Sequence, residues 1–526
     1  MRLLARIGAA LQRRAWRPAP VRAAAGSAAP VPPGRFAFLT SCYDTPPQYV
    51  RELAASIAAQ TAAGACWVLL DNGSTRGDTR SCLDEIARAP HVQFLRVEQN
   101  RGILGGMRAC LEAAAADFVV PVDADDLVAA AAIAEFAAAL RAQPAARFLF
   151  ADEDHVTDGR HRDPFRRPGW DPALALASSY VWHPCCFDRR LALELGVHAD
   201  AGANYCHDWD TLLRFVRAGH VPVHVPQLLY SWRTHAASTT NNRADAHTGS
   251  LASQRHVLQL HLDATGLGDR FAVEDCPLWR GAPELRLRRG PGALPPLDLL
   301  VVADSAVDAA RLQVIAASMA EHAPLRRRFL WAHRAVAAPV GWTALHGGAA
   351  AVLRAIDGPE PPFALAIRHA GCDVREADWP LELLGWLELV VDLDVVGARA
   401  LDARSRVLTA GDFIGADGEL AAPDRGRDAA DPGYLALALK PRCCDAVHSG
   451  ALLLRGNALA GTAAALARAG DAIGPATLGA WLAAAARAAG RRAMTTPFAT
   501  AVDPDGIAHL PAAGQRALWR TVAAGA

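Results

Sequence analysis

Residues 118–127 read Phe118-Val119-Val120-Pro121-Val122-Asp123-Ala124-Asp125-Asp126-Leu127. An apolar, β-branched run with no helical period fits a strand buried inside a sheet, and three carboxylates arrive where it ends. Residues two apart on extended backbone point to the same side, so Asp123 and Asp125 converge. Converging carboxylates repel unless a cation lies between them. A hard divalent ion, Mn2+ or Mg2+, takes a few protein oxygens and fills its remaining positions with water or diphosphate oxygens. The same acids also read as a solvated turn after a strand.

The surroundings of this stretch repeat one plan. Phe36 to Thr40 is a strand, and Pro47 to Gln60 carries Val50, Leu53 and Ile57 at helical spacing. Trp67 to Leu70 is a second strand, ending in Asp71-Asn72-Gly73-Ser74-Thr75. Strand, helix, strand and turn begin a parallel α/β sheet, whose ligands gather at the carboxyl ends of the strands. Asp71 either punctuates the turn or accepts a hydrogen bond from a nucleobase N–H. The glycines of Asn100-Arg101-Gly102-Ile103-Leu104-Gly105-Gly106 either let backbone approach a ligand or start a helix.

In chain order, Ser41-Cys42-Tyr43-Asp44-Thr45-Pro46, Asp71 to Thr75, Asn100 to Gly106, Asp123 to Asp126, Asp152-Glu153-Asp154, Asp163 to Asp171, Cys206-His207-Asp208-Trp209-Asp210 and Leu228 to His235 together resemble the inverting family 2 glycosyltransferases. The subgroup resembled is the tandem-domain type of bacterial O-antigen and capsule assembly. The resemblance implies a GT-A fold, a Rossmann-like mixed sheet flanked by helices, and a nucleotide-diphosphate sugar donor. It implies Asp208 as catalytic base, with His207 where the family has Glu or Gln. It implies Asp123, Asp125 and His235 around Mn2+ or Mg2+, and Tyr43, Asp44, Asp71, Asn72, Asp123 and Arg233 along the donor, Arg233 meeting phosphate. Asp152, Glu153, Asp154 and Trp209 would meet the acceptor, although the three acids also read as a helix cap.

A chain of 526 residues holds two or three domains. With 54 basic and 54 acidic residues it carries no global footprint for nucleic acid. Lys440 is the only lysine, and eleven scattered cysteines without metal-ligand spacing favour reduced thiols. No window has the unbroken apolarity of a membrane span. Before Asp44 there are arginines but no acids, and Leu3, Leu4, Ile7 and Leu11 share a helical face opposite Arg2, Arg6, Arg13 and Arg17. Residues 1–22 therefore read as a basic amphipathic arm able to lie on anionic lipid, or as a frayed tail or targeting peptide. The expected location is cytoplasmic, or peripheral at the inner face of the cell membrane.

The second half returns to the same rhythm: strands at Leu299 to Val302 and Arg328 to Trp331, a helix from Ala309, and an apolar run at Phe363 to Ile367. Its acids are missing. Without gaps Arg368 and Ala370 stand opposite Asp123 and Asp125; shifted by three residues, Gly371 and Asp373 do. Gly474 to Leu478 takes the place of the base-bearing segment and offers no carboxylate.

The expected organisation is an arm and linker at 1–34, a catalytic GT-A domain at 35–245, a helical connector at 246–296 and a degenerate GT-A-like domain at 297–526. The expected activity is metal-dependent inverting transfer of a sugar to a hydroxyl of a surface glycan or glycolipid. A non-catalytic scaffold that binds glycan or nucleotide sugar, and a nucleotidylyltransferase, are the alternatives. The latter needs a glycine-rich basic loop after the first strand, and Ser41 to Pro46 is not one.

Overall fold

The computed structural model describes residues 35–60, 64–235, 245–278, 284–292, 294–332, 338–415 and 418–525. The arm expected at 1–34 lies outside them. Two compact units form, one from residues 35–170 and 179–268, the other from 171–178 and 269–525. The boundary at Gly268 falls inside the stretch expected as a connector.

In the first unit the strands are β1 (Phe36–Cys42), β2 (Cys66–Asn72), β3 (Val92–Val97), β4 (Phe118–Pro121), β5 (Leu127–Val128), β6 (Phe148–Thr157), β7 (Arg160–Phe165), β8 (Cys185–Asp188) and β9 (Val223–Arg233). They form one sheet in the order β3-β2-β1-β4-β8-β6-β9-β5, with β7 paired to β6. β1, β2, β3 and β4 run parallel, β8 is antiparallel to both β4 and β6, and β6 and β9 are parallel. The carboxyl ends of β1, β2 and β4 therefore share one edge. The mixed α/β architecture expected of a GT-A domain is what this unit has.

Local sequence explains the layers. Pro47 opens the helix Pro47–Ala58, where its missing N–H costs nothing. Val50, Leu53 and Ile57 on that helix are buried, each side chain contributing about 1.5–3 kcal/mol by leaving water. The helix Gly102–Ala113 lies so close to β1 that a Cβ on Gly106 would overlap Ser41 Oγ and lie 2.8 Å from Asn72 Nδ2. Gly73 has φ +78°, and a Cβ there would lie 2.6 Å from Asn100 N. Gly106 thus lets a helix pack closely on the sheet, and Gly73 lets its turn pass close to Asn100.

The second unit adds a hairpin of β10 (Phe271–Asp275) and β11 (Leu285–Arg289) and the strands β12 (Leu297–Ala303), β13 (Leu325–Ala332), β14 (Thr343–Leu345), β15 (Ala364–His369), β16 (Asp373–Val374), β17 (Leu393–Leu401) and β18 (Val407–Thr409). A small pair, β19 (Phe413–Ile414) and β20 (Leu420–Ala421), precedes β21 (Arg442–Cys444), β22 (Ala451–Arg455) and β23 (Arg492–Val502). Its large sheet runs β14-β13-β12-β15-β22-β17-β23-β16, with β18 on β17. Apart from β21, which adds antiparallel to β23, this is the order of the first sheet, with the same parallel and antiparallel pairings. One bond fixes the register between the two: Val122 N–H donates to Leu39 O at 2.9 Å, and Ala370 N–H to Val302 O at 2.9 Å. Gly371 and Asp373 thus correspond to Asp123 and Asp125, the shifted pairing.

All eleven cysteines are unpaired. No helix among the described residues is long and apolar enough to cross a membrane.

Gly106→Ala should destabilise the chain by about 1–3 kcal/mol through overpacking of a helix on a sheet. A melting temperature equal to wild type would contradict that close approach.

Candidate active site

The acids after β4 are held by a clamp. Asp126 is buried, 1% exposed, and both its oxygens are used: Tyr230 Oη donates to Oδ2 at 2.6 Å and the Arg233 backbone N–H to Oδ1 at 2.7 Å. Tyr230 Oη also accepts from the Asp123 N–H at 3.2 Å. Burial first, then Asp123 and Asp125, push the Asp126 carboxyl well above its usual range. Arg233 Nε donates to the Asp125 carbonyl at 2.6 Å, its Nη2 pairs with Glu52 at 2.6 Å, and the guanidinium lies 4.6 Å from the Tyr49 ring centre. Arg233 therefore organises the turn. It was expected to grip phosphate, but its planar fork is engaged by protein groups.

Around this turn the chemistry-bearing groups converge. His235 Nε2 lies 2.9 Å from Asp125 Oδ2. Asp123 Oδ2 faces His183 Nε2 at 3.6 Å, and the His183 ring stacks on Tyr230 at 5.0 Å. Asp208 sits in the first turn of the helix His207–Arg217, with His207 Nε2 3.5 Å from its Oδ1. Although half of the Asp123 side chain meets solvent, desolvation in the cleft raises its pKa; His183 opposes that shift, and Asp125 and Asp208 add to it. Burial would raise Asp208 as well, but His207, His183 and His198 outweigh it and hold this carboxyl below its ordinary value. Asp125 and Asp208 thus both act on Asp123, and His183, beside Asp123, lines a small cavity with Asp208.

Other residues expected at ligands are occupied elsewhere. Asp71 is 1% exposed; it accepts from Ser74 N–H at 2.9 Å and from Arg96 Nε at 2.8 Å, Arg96 lying opposite it on β3. Asn72 ties down the glycine turn, donating to Asn100 Oδ1 and Gly102 O and accepting from Arg101 N–H. Asp44 accepts from the backbone N–H groups of Thr75 and Arg76, both at 2.8 Å. Tyr43 is 47% exposed and stands free at the end of β1. The acceptor set does not assemble. Asp152 is buried against Arg167 N–H at 3.0 Å and His224 at 2.8 Å, and Glu153 accepts from Trp182 Nε1 at 2.7 Å. Asp154 pairs with His161 at 3.0 Å, and Trp209 is 1% exposed in the core. These acids lie along β6, where cross-strand donors reach them; Trp209 faces inward because a helix directs adjacent positions to different sides.

The donor set was tested against a divalent ion. Asp125 and His235 offer one carboxylate and one imidazole already in contact, which suits an ion that completes its shell with diphosphate oxygens and water. Asp123 turns to His183 instead of joining them. Among the described residues no three His, Cys, Asp or Glu side chains gather as an ion's ligands, so the expected trio of Asp123, Asp125 and His235 is not assembled.

Sequence reading passed over His183, Tyr230, Asp126 and Glu52. Asp126 stood in the opening stretch and Tyr230 interrupts an aliphatic strand, which were usable signals. His183 had none, because its place depends on β8 lying beside β4.

Residues 38–194 match the family model described as glycosyl transferase family 2. The O-antigen biosynthesis protein RfbC of Myxococcus xanthus is 29% identical over 230 residues, 43% of this chain and 18% of that protein. An uncharacterised protein of Sinorhizobium fredii is 29% identical over 231 residues, 42% of this chain and 25% of that protein. The matched stretch thus spans a quarter or less of either relative's length. Among solved structures, S. aureus TarS 1-349 in complex with UDP-GlcNAc is 17% identical with TM-score 0.37, over 44% of this chain and 66% of that one. The mannosyltransferase PcManGT of Pyrobaculum calidifontis in complex with GDP-Man and Mn2+ is 18% identical with TM-score 0.33, over 50% and 70%.

The direction of the Asp208 shift has a consequence for pH. A carboxyl held below its ordinary value stays ionised above it, so a rate that needs Asp208 as proton acceptor should stay flat down to about pH 4 and fall below. A kcat profile whose acid limb, abolished in Asp208→Asn, lies near neutral pH would contradict the lowered value.

Proposed function

We propose that this chain, whose first unit carries a family 2 glycosyltransferase domain, moves a sugar from a nucleotide-diphosphate donor to a hydroxyl of a surface glycan or glycolipid, inverting the anomeric carbon. What supports the reading is that Asp125 and Asp208 both lie near enough to Asp123, just past the carboxyl end of β4, to act on its charge, and that His183, 3.6 Å from Asp123, lines a small cavity together with Asp208. Attack by a hydroxyl requires a group to take its proton on the face away from the leaving diphosphate. Asp208, held ionised by the histidines around it, is suited to that. Asp125 and His235 would hold Mn2+ or Mg2+, which supplies neutralisation of the charge growing on the departing diphosphate. Asp123 orients the donor, and exposed Tyr43 offers its ring to the nucleobase. The acceptor class is supported by the relative named for O-antigen biosynthesis.

The second unit is proposed to be a degenerate relative without chemistry. Asp373, at the position of Asp125, pairs with Arg311 at 2.8 Å, and Gly371 stands at that of Asp123. The helix before β23 begins Leu478-Gly479 where its counterpart begins His207-Asp208. A Cβ on Gly479 would lie 2.5 Å from Val447 O, so backbone closes the place of a base.

A panel of nucleotide sugars with Mn2+ or Mg2+, scored by release of nucleoside diphosphate, tests the reading. Asp125→Ala should abolish turnover and weaken nucleotide binding, whereas Asp208→Asn should keep binding and lose roughly 10²–10⁴ in transfer. Equal loss of nucleotide binding in both would sink the assigned roles; turnover of no donor would favour a binding scaffold. The proposed lipid contact of residues 1–22 rests on their charge pattern. Their deletion should release the chain from anionic vesicles without lowering turnover on a soluble acceptor, and unchanged vesicle association would refute it.

A further inference from the structure

Behind Asp208 the structure contains an anomaly in its hydrogen bonding. His198 is 5% exposed, and neither of its ring nitrogens has a hydrogen-bond partner; nor does His207 Nδ1, also buried. The two rings lie 5.4 Å apart, and His207 Nε2 is 3.5 Å from Asp208 Oδ1. Burying a polar atom without a partner is unfavourable, so three of them near one carboxylate point to a partner that satisfies at least one.

The space to hold it is present. A cavity of ≈ 10 Å³ is lined by His198, Asp208, His183, Trp182, Phe148 and Phe187 among others. That is about the room one water needs, and a buried water wants two to four polar partners. Pro121, Cys185 and Thr211 complete the lining, and a volume of ≈ 10 Å³ leaves no room for a larger polar ligand.

We propose that His198 and Asp208 bind one ordered water in this cavity, with His207 beside it, and that this water holds the Asp208 carboxylate in one orientation. His198 and His207 are then positioning residues, acting through the water and Asp208 and not by touching substrate. The inference rests on the reading of Asp208 as the base. The titratable groups facing Asp208 are His207 on its own helix, His183 before β8, His198 in the preceding loop and Asp123 after β4. Those facing His198 are His207, Asp208, Arg108 and Arg214. Burial first, and then His207, hold His198 down to about 3. Its imidazole is thus neutral at working pH, and one of its ring nitrogens can bond the water; the two nitrogens diverge, so a single water meets only one of them.

The full chain with His198→Phe removes both nitrogens and fills the cavity; His198→Asn keeps a donor and an acceptor. With the donor found above, His198→Phe should lower kcat about tenfold, the scale of a misplaced catalytic group, with donor KM within about twofold of wild type. Losing water and imidazole dipoles disfavours the Asp208 anion, so the acid limb should move to higher pH. His198→Asn should recover most of kcat and return the limb. Thermal melts identify variants that fail to fold. A high-resolution crystal structure should contain a water within hydrogen-bond distance of His198 and Asp208. A dry cavity, or a folded His198→Phe variant with wild-type kcat and pH profile, would overturn the proposal. If Asp208→Asn itself retains transfer, the base assignment fails first and this inference with it; loss in Asp208→Asn beside an unchanged His198→Phe removes this inference alone.

Discussion

One buried carboxylate sets the geometry of the first unit. Asp126 leaves water at a cost that only hydrogen bonds offset, and its two donors, the Tyr230 hydroxyl and the Arg233 amide, both come from β9. The turn after β4 is thereby fixed against a strand more than a hundred residues later. The same two residues carry the constraint onward: Tyr230 meets the Asp123 amide, and Arg233 meets the Asp125 carbonyl. The flanking acids are aimed by a third acid that faces no ligand.

That aim brings like charges together, and the compensation comes from imidazoles. His235 stands on Asp125, His183 faces Asp123, and His207 lies beside Asp208. The arginines nearby serve other ends, Arg233 on Glu52, Arg96 on Asp71 and Arg167 on Glu153. Imidazoles can be neutral or charged near neutral pH, so the cleft compensates its acids without a fixed cationic surplus. At Asp208 the histidines prevail and the carboxyl lies below its ordinary value, whereas at Asp123 desolvation prevails and the carboxyl lies above it.

The second unit separates fold from chemistry. Its sheet has the strand order and directions of the first, which apolar strands and connecting helices suffice to specify. The side chains at the strand end are different, and Gly479 lies against Val447 where a base would stand. A topology can stand without those carboxylates, because packing depends on buried apolar runs and not on what projects from their ends.

Sequence by itself determined the parallel strands of both halves, the acid cluster at the end of β4 and the absence of its counterpart in the second half. Apolar runs and residue spacing are local properties, and each of these features is local. It also offered Asp208 as a candidate base, through a motif read in order with others. Tertiary structure decided which acids are available. Asp71, Asp152 and Glu153 read as ligands along the chain, yet Arg96 and His224 reach the first two from neighbouring strands and Trp182 reaches Glu153 from the loop before β8. His183 entered the cleft only because β8 pairs with β4. Whether a carboxylate meets substrate or protein depends on which donor the fold brings within about 3 Å, and that partner is set by strand register across long sequence separations.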